Sequence, residues 1–303
     1  MLTLTSPALN KIVIFGVGLI GGSVALALKR NHPAVKIVGV GRAGESLQAA
    51  LDMGAIDQAE TSAAAALQHA DIVLLAAPVA QTASLLTSIA PHLDANTVVT
   101  DVGSTKCDVI EHARTLLGEN ARQFVPGHPI AGAEKSGVSA ARADLFDGKN
   151  VVLTPLDITS PEALSAVSAL WERTGARINT MSGEQHDGIF AAVSHLPHLL
   201  AFALVDDLAR RPNAAQLFDF AASGFRDFTR IAGSSPEMWR DISLANRPAL
   251  LQELDAYQAE LSHLRQLLES NDGNSLQALF ERARQARNNW AHGQVAVPKL
   301  EQP

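Results

Sequence analysis

The segment GVGLIGGS, residues 16–23, constrains the fold of this chain more than any other stretch of its sequence. It follows the β-branched run KIVIFGV and precedes the helical pattern SVALALKR. Gly16 therefore allows a tight turn, Gly18 lets the backbone approach an anion, and Gly21 lets the helix pack closely on the strand. This spacing predicts the first βαβ unit of a parallel sheet.

The first half of the chain alternates short apolar runs with helical patterns. The further predicted strands are VKIVGVG (35–41), ADIVLLAAP (70–78), NTVVTDVG (96–103), RQFVPGH (122–128), KNVVLTP (149–155) and ARINTMS (176–182). Most of these runs are continuously apolar, which is typical of strands buried on both faces of a sheet. The alternation predicts a doubly wound α/β domain.

From residue 183 onward the sequence favours helices alone. Ser182 and Gln185 have capping-box spacing at the start of a long helical run. A later helix repeats apolar residues at steps of four and three, namely Leu250, Leu254, Tyr257, Leu261, Leu264 and Leu268. This rhythm is typical of a core helix or of a seam between two subunits. We predict an α/β domain, an all-α domain and a tail, at residues 9–182, 183–295 and 296–303.

Composition excludes several classes of function. The 303 residues, 47% of them hydrophobic, are enough for two domains with cores of their own. A net charge of −7 argues against binding to nucleic acid or to an anionic membrane, since both require a basic face. The only cysteine, Cys107, excludes an internal disulfide. Because we find no signal-peptide pattern and no apolar run approaching about 18 residues, we expect a soluble, cytoplasmic protein.

The glycine pattern, placed in the first βαβ unit, predicts a Rossmann-like domain that binds a dinucleotide. An acidic residue after the second strand would bind the ribose of NAD, but Gly41 and Arg42 stand there. Because an arginine can pair with a 2′-phosphate, we expect NADP, with NAD possible. Alternatively, Arg42 is solvated and Glu45 binds the ribose. We assign the following residues to the cofactor: Gly16, Gly18, Leu19, Ile20, Gly21, Arg42, Pro78 and Ser104.

Two polar residues follow predicted strands, where the ligand crevice of an open α/β sheet lies. Ser104 comes after the strand at 96–103, and His128 ends the strand at 122–128. A neutral His128 can accept a proton from a substrate hydroxyl while a hydride leaves the same carbon. Ser104 is expected near the nicotinamide, as the cap of the following helix, or in both roles.

The helical half carries a second group of candidate residues. In VSHLPHLLAF, His195 and His198 share one helix face, and Pro197 frees the carbonyl of Val193, which predicts a kink. No carboxylate or thiolate stands at companion spacing, so the pair fits a substrate pocket better than a metal site. The stretch SGFRDFTRIAGSSPEMWRDI sets arginines among aromatics, and the planar fork of Arg230 suits a small carboxylate.

Five segments together resemble the prephenate and arogenate (cyclohexadienyl) dehydrogenases of tyrosine biosynthesis. They are GVGLIGGS, DVGSTK, GHPIAGAEKSG, SHLPH and FRDFTRIAGSSPEMWRDI, in the order of that family. The resemblance implies an NAD(P)-dependent oxidative decarboxylation of prephenate to 4-hydroxyphenylpyruvate, or of arogenate to tyrosine. It also implies that His128 takes the ring hydroxyl proton and that Ser104 orients that hydroxyl. Arg230 would bind a carboxylate, His195 and His198 would line the pocket, and the helical domain would form a homodimer.

Two other functions fit parts of the sequence. The β-hydroxyacid dehydrogenases also join a dinucleotide domain to a helical one, but they generally rely on a lysine there, and residues 183–297 contain none. A non-enzymatic redox sensor that binds NADP would need the cofactor site and the helical seam. Such a sensor would not need His128, Ser104 and Arg230 in one pocket.

Overall fold

The structure is a computed structural model that describes residues 9–41, 44–132 and 135–293. The chain forms two compact units, the first ending at Leu250 and the second beginning at Leu251. The domain boundary near residue 182 remains a prediction. The predicted tail at 296–303 lies outside the described residues.

A six-stranded parallel sheet is the frame of the first unit, with the order β3-β2-β1-β4-β5-β6. Its strands are β1 (Lys11–Phe15), β2 (Lys36–Val40), β3 (Gln58–Glu60), β4 (Ile72–Leu75), β5 (Val98–Asp101) and β6 (Phe124–Val125). The strand order reverses at β1, which lies between β2 and β4, and this confirms the doubly wound α/β fold. The sequence analysis missed β3, because its residues Gln-Ala-Glu carry no strand signal.

Helices cover both faces of this sheet. They are α1 (Leu19–Asn31), α2 (Glu45–Asp52), α3 (Ala63–Leu67), α4 (Thr82–Ile89), α5 (Cys107–Leu117) and α6 (Pro161–Arg173). Ile12 and Ile14 of β1 belong to one buried cluster, whereas Val13 and Phe15 belong to another. Because successive side chains of a strand point to opposite faces, β1 is buried on both sides, as a continuously apolar run predicts.

A second, three-stranded sheet corrects the prediction that 122–128 is a single strand of the parallel sheet. Its strands are β7 (Gly127–Pro129), β8 (Asn150–Leu153) and β9 (Arg177–Thr180). β7 pairs antiparallel with β8, and His128 lies opposite Val152. Pro126 separates β6 from β7, and proline has no N–H to donate to a ladder. The predicted strand is therefore two short strands in different sheets.

After β9 the described chain is helical, as predicted. α7 (Gly183–Phe190) begins with both hydrogen bonds of the Ser182–Gln185 capping box. A π-helical turn at Ala191–His195 connects it to α8 (Leu196–Ala209). Pro197 follows that turn and removes a backbone donor, so the predicted distortion takes the form of a π turn.

The helical run 183–209 also corrects the expectation that no segment is long and apolar enough to span a membrane. It is long and apolar enough, by length and composition alone, to cross a membrane, with a mean hydropathy of 1.8 in its most apolar window. That expectation considered only uninterrupted apolar residues. The mean hydropathy of a window stays high even when a few polar side chains interrupt it. Only 28% of that window is buried, and Val193 is 68% exposed. Much of this apolar surface is therefore open in the single chain.

The remaining helices are α9 (Ala214–Asp219), α10 (Ser223–Thr229), α11 (Pro236–Ala245), α12 (Arg247–Glu269) and α13 (Gly273–Ala291). The predicted apolar seam falls on α12. Leu250 is buried, but Leu261 is 47% and Leu268 is 67% exposed. This exposure favours the subunit-seam interpretation over that of a core helix.

Candidate active site

The glycine loop lies between β1 and α1, as predicted. Gly16 has a φ of +91°, and a Cβ there would come within 2.6 Å of the Ala76 carbonyl oxygen. A Cβ at Gly21 would collide with the Gly16 carbonyl oxygen, whereas nothing lies within 4 Å of a Cβ at Gly18. The first and third glycines are thus required for packing. The second leaves open space at the N-terminus of α1, which fits a pyrophosphate.

The other predicted cofactor residues are distributed along the same edge of the sheet. Leu19 and Ile20 form the first turn of α1 and are half-buried, and Pro78 is exposed just after β4. Ser104 is half-buried after β5. Arg42 lies outside the described residues.

A chain of hydrogen bonds runs from His128 into the buried interior. His128 Nδ1 lies 2.8 Å from His186 Nε2, and His186 Nδ1 lies 2.8 Å from Asp187 Oδ1. His186 and Asp187 belong to α7, and both are buried. Sequence reasoning missed them, because nothing in GEQHDG marks a contact with a residue 58 positions earlier.

The end of this chain decides which nitrogen of each ring carries the proton. Burial would raise the pKa of Asp187, but hydrogen bonds from His186 and from the Cys107 backbone outweigh it and lower that pKa. An ionised Asp187 only accepts, so His186 Nδ1–H donates to it and His186 Nε2 accepts from His128 Nδ1–H. The neutral His128 ring is therefore left with an unprotonated Nε2.

The surroundings keep His128 neutral. Burial lowers the pKa of His128 well below the ordinary imidazole value, and the neighbouring His186, Lys106 and His195 lower it further. Burial also lowers the pKa of His186, although its hydrogen bond to Asp187 opposes the shift. At neutral pH His128 is therefore an uncharged ring that can accept a proton.

A buried ion pair between the two ends of the loop that contains Ser104 holds this loop against the strand that carries His128. Lys106 Nζ lies 2.6 Å from Asp101 Oδ2 and donates to the Gly127 carbonyl at 2.8 Å. The Asp101 carboxylate accepts from Gly103 N at 2.8 Å and from Gly127 N at 3.0 Å. Because breaking one partner of a buried pair costs about 3–5 kcal/mol, these bonds position β7 firmly.

Ser104 does not cap the following helix, so that interpretation of it is wrong. α5 begins at Cys107 and has no cap from a neighbouring side chain. The backbone N–H groups of Cys107 and of the preceding Lys106 donate instead to the Asp187 carboxylate, at 2.9 and 2.8 Å. Asp187 thus caps α5 from a distant part of the sequence and ends the histidine chain at the same time.

His195 and His198 lie beside one aromatic ring, that of Trp239. The His198 ring stacks on Trp239 with 3.6 Å between centroids, and His195 meets it edge-on at 6.0 Å. Burial lowers the pKa of His195 to about 4. His198 Nδ1 donates to the Ser194 carbonyl at 2.9 Å, which leaves its Nε2 as an acceptor.

The predicted carboxylate clamp, Arg230, lies near this group of rings. Its side chain is exposed, and it is close enough to His198 to lower the pKa of that ring, after the larger effect of burial. His195 likewise lowers the pKa of His128. The structure therefore brings His128, His195, His198 and Arg230 into one neighbourhood. Among the described residues, no hydrogen bond links Ser104 to them.

Two family models match consecutive parts of the chain. The nucleotide-binding domain of prephenate dehydrogenase matches residues 24–180, and the dimerization domain of prephenate dehydrogenase matches residues 182–282. The chain belongs to the prephenate dehydrogenase family. A prephenate dehydrogenase of Bacillus subtilis is 41% identical over 92% of this chain and 76% of its own length.

Solved structures of this family have the same fold. A prephenate dehydrogenase from Aquifex aeolicus, in complex with hydroxyphenyl propionate and NAD+, has a TM-score of 0.88 and is 38% identical, covering 94% of this chain and 99% of its own. An arogenate dehydrogenase from Synechocystis has a TM-score of 0.80 and is 31% identical, covering 92% and 99%. Both the α/β domain and the helical region are therefore common to the family.

Proposed function

We propose that this chain oxidises and decarboxylates prephenate to 4-hydroxyphenylpyruvate with a nicotinamide dinucleotide, and that His128 accepts the proton. The observation that carries the proposal is the chain from His128 through His186 to Asp187, which leaves Nε2 of a neutral imidazole free. The protein also belongs to the prephenate dehydrogenase family, and its glycine loop has room for a pyrophosphate.

A bound nicotinamide supplies the acceptor for the hydride that leaves the carbinol carbon of the substrate. His128 Nε2 takes the hydroxyl proton as the hydride departs. Loss of the ring carboxylate as carbon dioxide then makes the ring an aromatic phenolate, which a proton from the His128 imidazolium converts to the hydroxyl of the product. Because aromatisation drives the reaction, the protein has to position the substrate and supply the base.

The buried partners of His128 support its role as a base. When Nε2 gains a proton, the ring becomes an imidazolium, and its Nδ1–H bond to His186 becomes charge-assisted. His186 is in turn held by the ionised Asp187. The three groups thus keep the ring in the accepting tautomer and stabilise its charge afterwards, as in a serine–histidine–aspartate triad.

Arg230 is the proposed partner of a substrate carboxylate. A planar guanidinium binds a carboxylate through two parallel hydrogen bonds. It should hold the side-chain carboxylate rather than the ring carboxylate, because tight binding of the group that departs would oppose its loss. His195 and His198 are proposed to line the same pocket, and Ser104 to orient the ring hydroxyl.

The preferred cofactor is proposed to be NADP. Gly41 follows β2, so no carboxylate stands at that position to repel a 2′-phosphate, and Arg42 comes next in the sequence. NAD is the cofactor named for the Aquifex aeolicus relative. Both cofactors are therefore included in the test below.

The helical region is proposed to form a homodimer. The matching dimerization-domain model supports this, as does the apolar surface that the run 183–209 leaves open. Such a surface is typical of an interface between subunits. A cytoplasmic location remains a prediction from the sequence.

Initial rates followed by cofactor absorbance test the proposal. Prephenate and arogenate are each offered with NADP and with NAD, which makes four combinations. Arogenate is included because the Synechocystis relative is named for it. We expect turnover of prephenate, faster with NADP than with NAD. The absence of turnover in all four combinations would contradict the proposal.

A further inference from the structure

The side-chain amide of Asn246 joins two parts of the site. Asn246 follows α11 and is 3% exposed. Its Nδ2 lies 2.8 Å from the Asp187 carbonyl oxygen and 3.1 Å from His195 Nδ1. The amide thus connects the backbone under the His128–His186–Asp187 chain with the imidazole of His195.

One of these contacts decides how the amide is oriented. The Asp187 carbonyl oxygen can only accept, so the amide must present its NH2 group there rather than its oxygen. The second hydrogen of the same NH2 group then points at His195 Nδ1, which has to accept it. Neutral His195 therefore carries its proton on Nε2.

His195 Nε2–H has no hydrogen-bond partner among the described residues. The ionisable groups that influence the pKa of His195 are Asp187, His186 and His198, and His195 in turn lowers the pKa of His128. His198 has the opposite tautomer, since its Nδ1 donates to the Ser194 carbonyl. The two rings beside Trp239 thus present a donor at His195 and an acceptor at His198.

We propose that Asn246 is a positioning residue that locks His195 as a neutral donor, and that His195 Nε2–H binds an acceptor oxygen of the acid substrate. The second half of this statement rests on the proposed function. The first half concerns the free chain alone. No metal, further cofactor or partner is required for it.

Nitrogen-15 NMR of histidine-labelled protein tests the lock directly. The chain has ten histidines, and His195→Gln identifies the signals of His195 by their loss. We expect protonated Nε2 and unprotonated Nδ1 for His195 from about pH 6 to about pH 9, with the opposite pattern for neutral His198 as an internal reference. A protonated Nδ1 on neutral His195 in the wild-type chain would overturn the proposal, whether or not the chain turns over prephenate.

Asn246→Asp should reverse the lock. A carboxylate beside Nδ1 draws the proton to that nitrogen and raises the pKa of His195. At about pH 9 the neutral ring then has an unprotonated Nε2, whereas below the raised pKa the imidazolium carries protons on both nitrogens. Asn179→Asp introduces the same charge at an exposed position of β9 and is the matched control.

Binding of hydroxyphenyl propionate, measured in the presence of NAD+, shows whether His195 donates a hydrogen bond to the ligand or has only a structural role. For Asn246→Asp we expect about tenfold weaker binding than wild type at about pH 9. Binding should recover towards wild type below the His195 pKa that NMR gives for this variant, because the donor returns. Wild type and Asn179→Asp should bind alike at each pH. Equal loss above and below that pKa, or no loss in either range, would overturn the proposed donor role.

Discussion

At the level of individual residues, sequence motifs do not mark the side chains that fix the tautomers of His128 and His195. His128, His195, His198 and Arg230 stand in recognisable segments, and sequence reasoning found them. His186, Asp187 and Asn246 act through contacts between residues 51 to 59 positions apart, which no local pattern encodes. Sequence analysis could therefore propose the proton acceptor but could not say what fixes its tautomer.

Replacing Asp187 tests the chain of hydrogen bonds behind His128. Asp187→Asn removes the charge and places an NH2 group where the carboxylate accepts from His186 and Lys106 N or from Cys107 N, so at least one of these bonds is lost. We expect kcat to fall on the order of 100-fold with KM little changed, because the tautomer of His128 is no longer fixed.

The same substitution should also destabilise the fold by about 0.5–2 kcal/mol in urea unfolding, because α5 loses its cap. Asp157→Asn is the control, since Asp157 is exposed and pairs with Arg114 on the surface. Unchanged kcat in Asp187→Asn, with the protein folded, would exclude a role in catalysis for the hydrogen-bond chain from His128 to Asp187.

Removing the proposed clamp should weaken substrate binding rather than chemistry. Arg230→Ala loses a charge-assisted pairing of about 1.5–3 kcal/mol, so KM for prephenate should rise roughly 10- to 100-fold. Arg240→Ala removes the same charge from an exposed arginine that pairs with Asp241, and it should leave KM near the wild-type value. If Arg230→Ala had an unchanged KM, the carboxylate clamp would lie elsewhere.

Cofactor choice is tested at Arg42. Arg42→Ala removes the proposed partner of the 2′-phosphate, so KM for NADP should rise by about tenfold or more while KM for NAD changes little. Steady-state kinetics with both cofactors measure the two values. An equal rise for NADP and NAD would refute the 2′-phosphate role.

Among secondary-structure elements, the buried strands were the most predictable. β1, β2 and β4 lie inside largely apolar runs, and β5 begins with two buried valines, because both faces of these strands are covered by helices. β3 is short and polar and was missed. The segment around Pro126 was assigned to one strand, because the switch from β6 to β7 depends on pairing with β8, which periodicity does not reveal.

The glycine loop allows a matched comparison of packing with binding. Gly21→Ala forces a Cβ against the Gly16 carbonyl, so unfolding in urea should show a loss of roughly 1–3 kcal/mol. Gly18→Ala meets nothing within 4 Å and should unfold like the wild type. It should nevertheless weaken cofactor binding, because the Cβ occupies the space left for the pyrophosphate. Normal cofactor affinity in Gly18→Ala would place the pyrophosphate elsewhere.

In the protein as a whole, the α/β part and the first helices beyond it share one core. Trp239 and Ile242 of α11 belong to the same buried cluster as Val79, which follows β4. Asp187 adds a polar connection, because a side chain of α7 caps α5. The rings of the helical region are thus held near the carboxyl edge of the sheet, where the dinucleotide loop lies. Sequence analysis predicted both parts but not the residues that join them.

The pH dependence of kcat/KM for prephenate tests the role of His128, because it reports ionisations of the free enzyme. The base must be unprotonated, so activity falls as the pH drops through its pKa. Since burial lowers the pKa of His128, we expect the acid limb below about pH 6.5, the ordinary imidazole value. His128→Asn should lose about 100- to 10,000-fold in kcat, with cofactor affinity nearly unchanged. A wild-type acid limb at or above about pH 6.5, or a His128→Asn variant with near-normal kcat, would contradict the role assigned to His128.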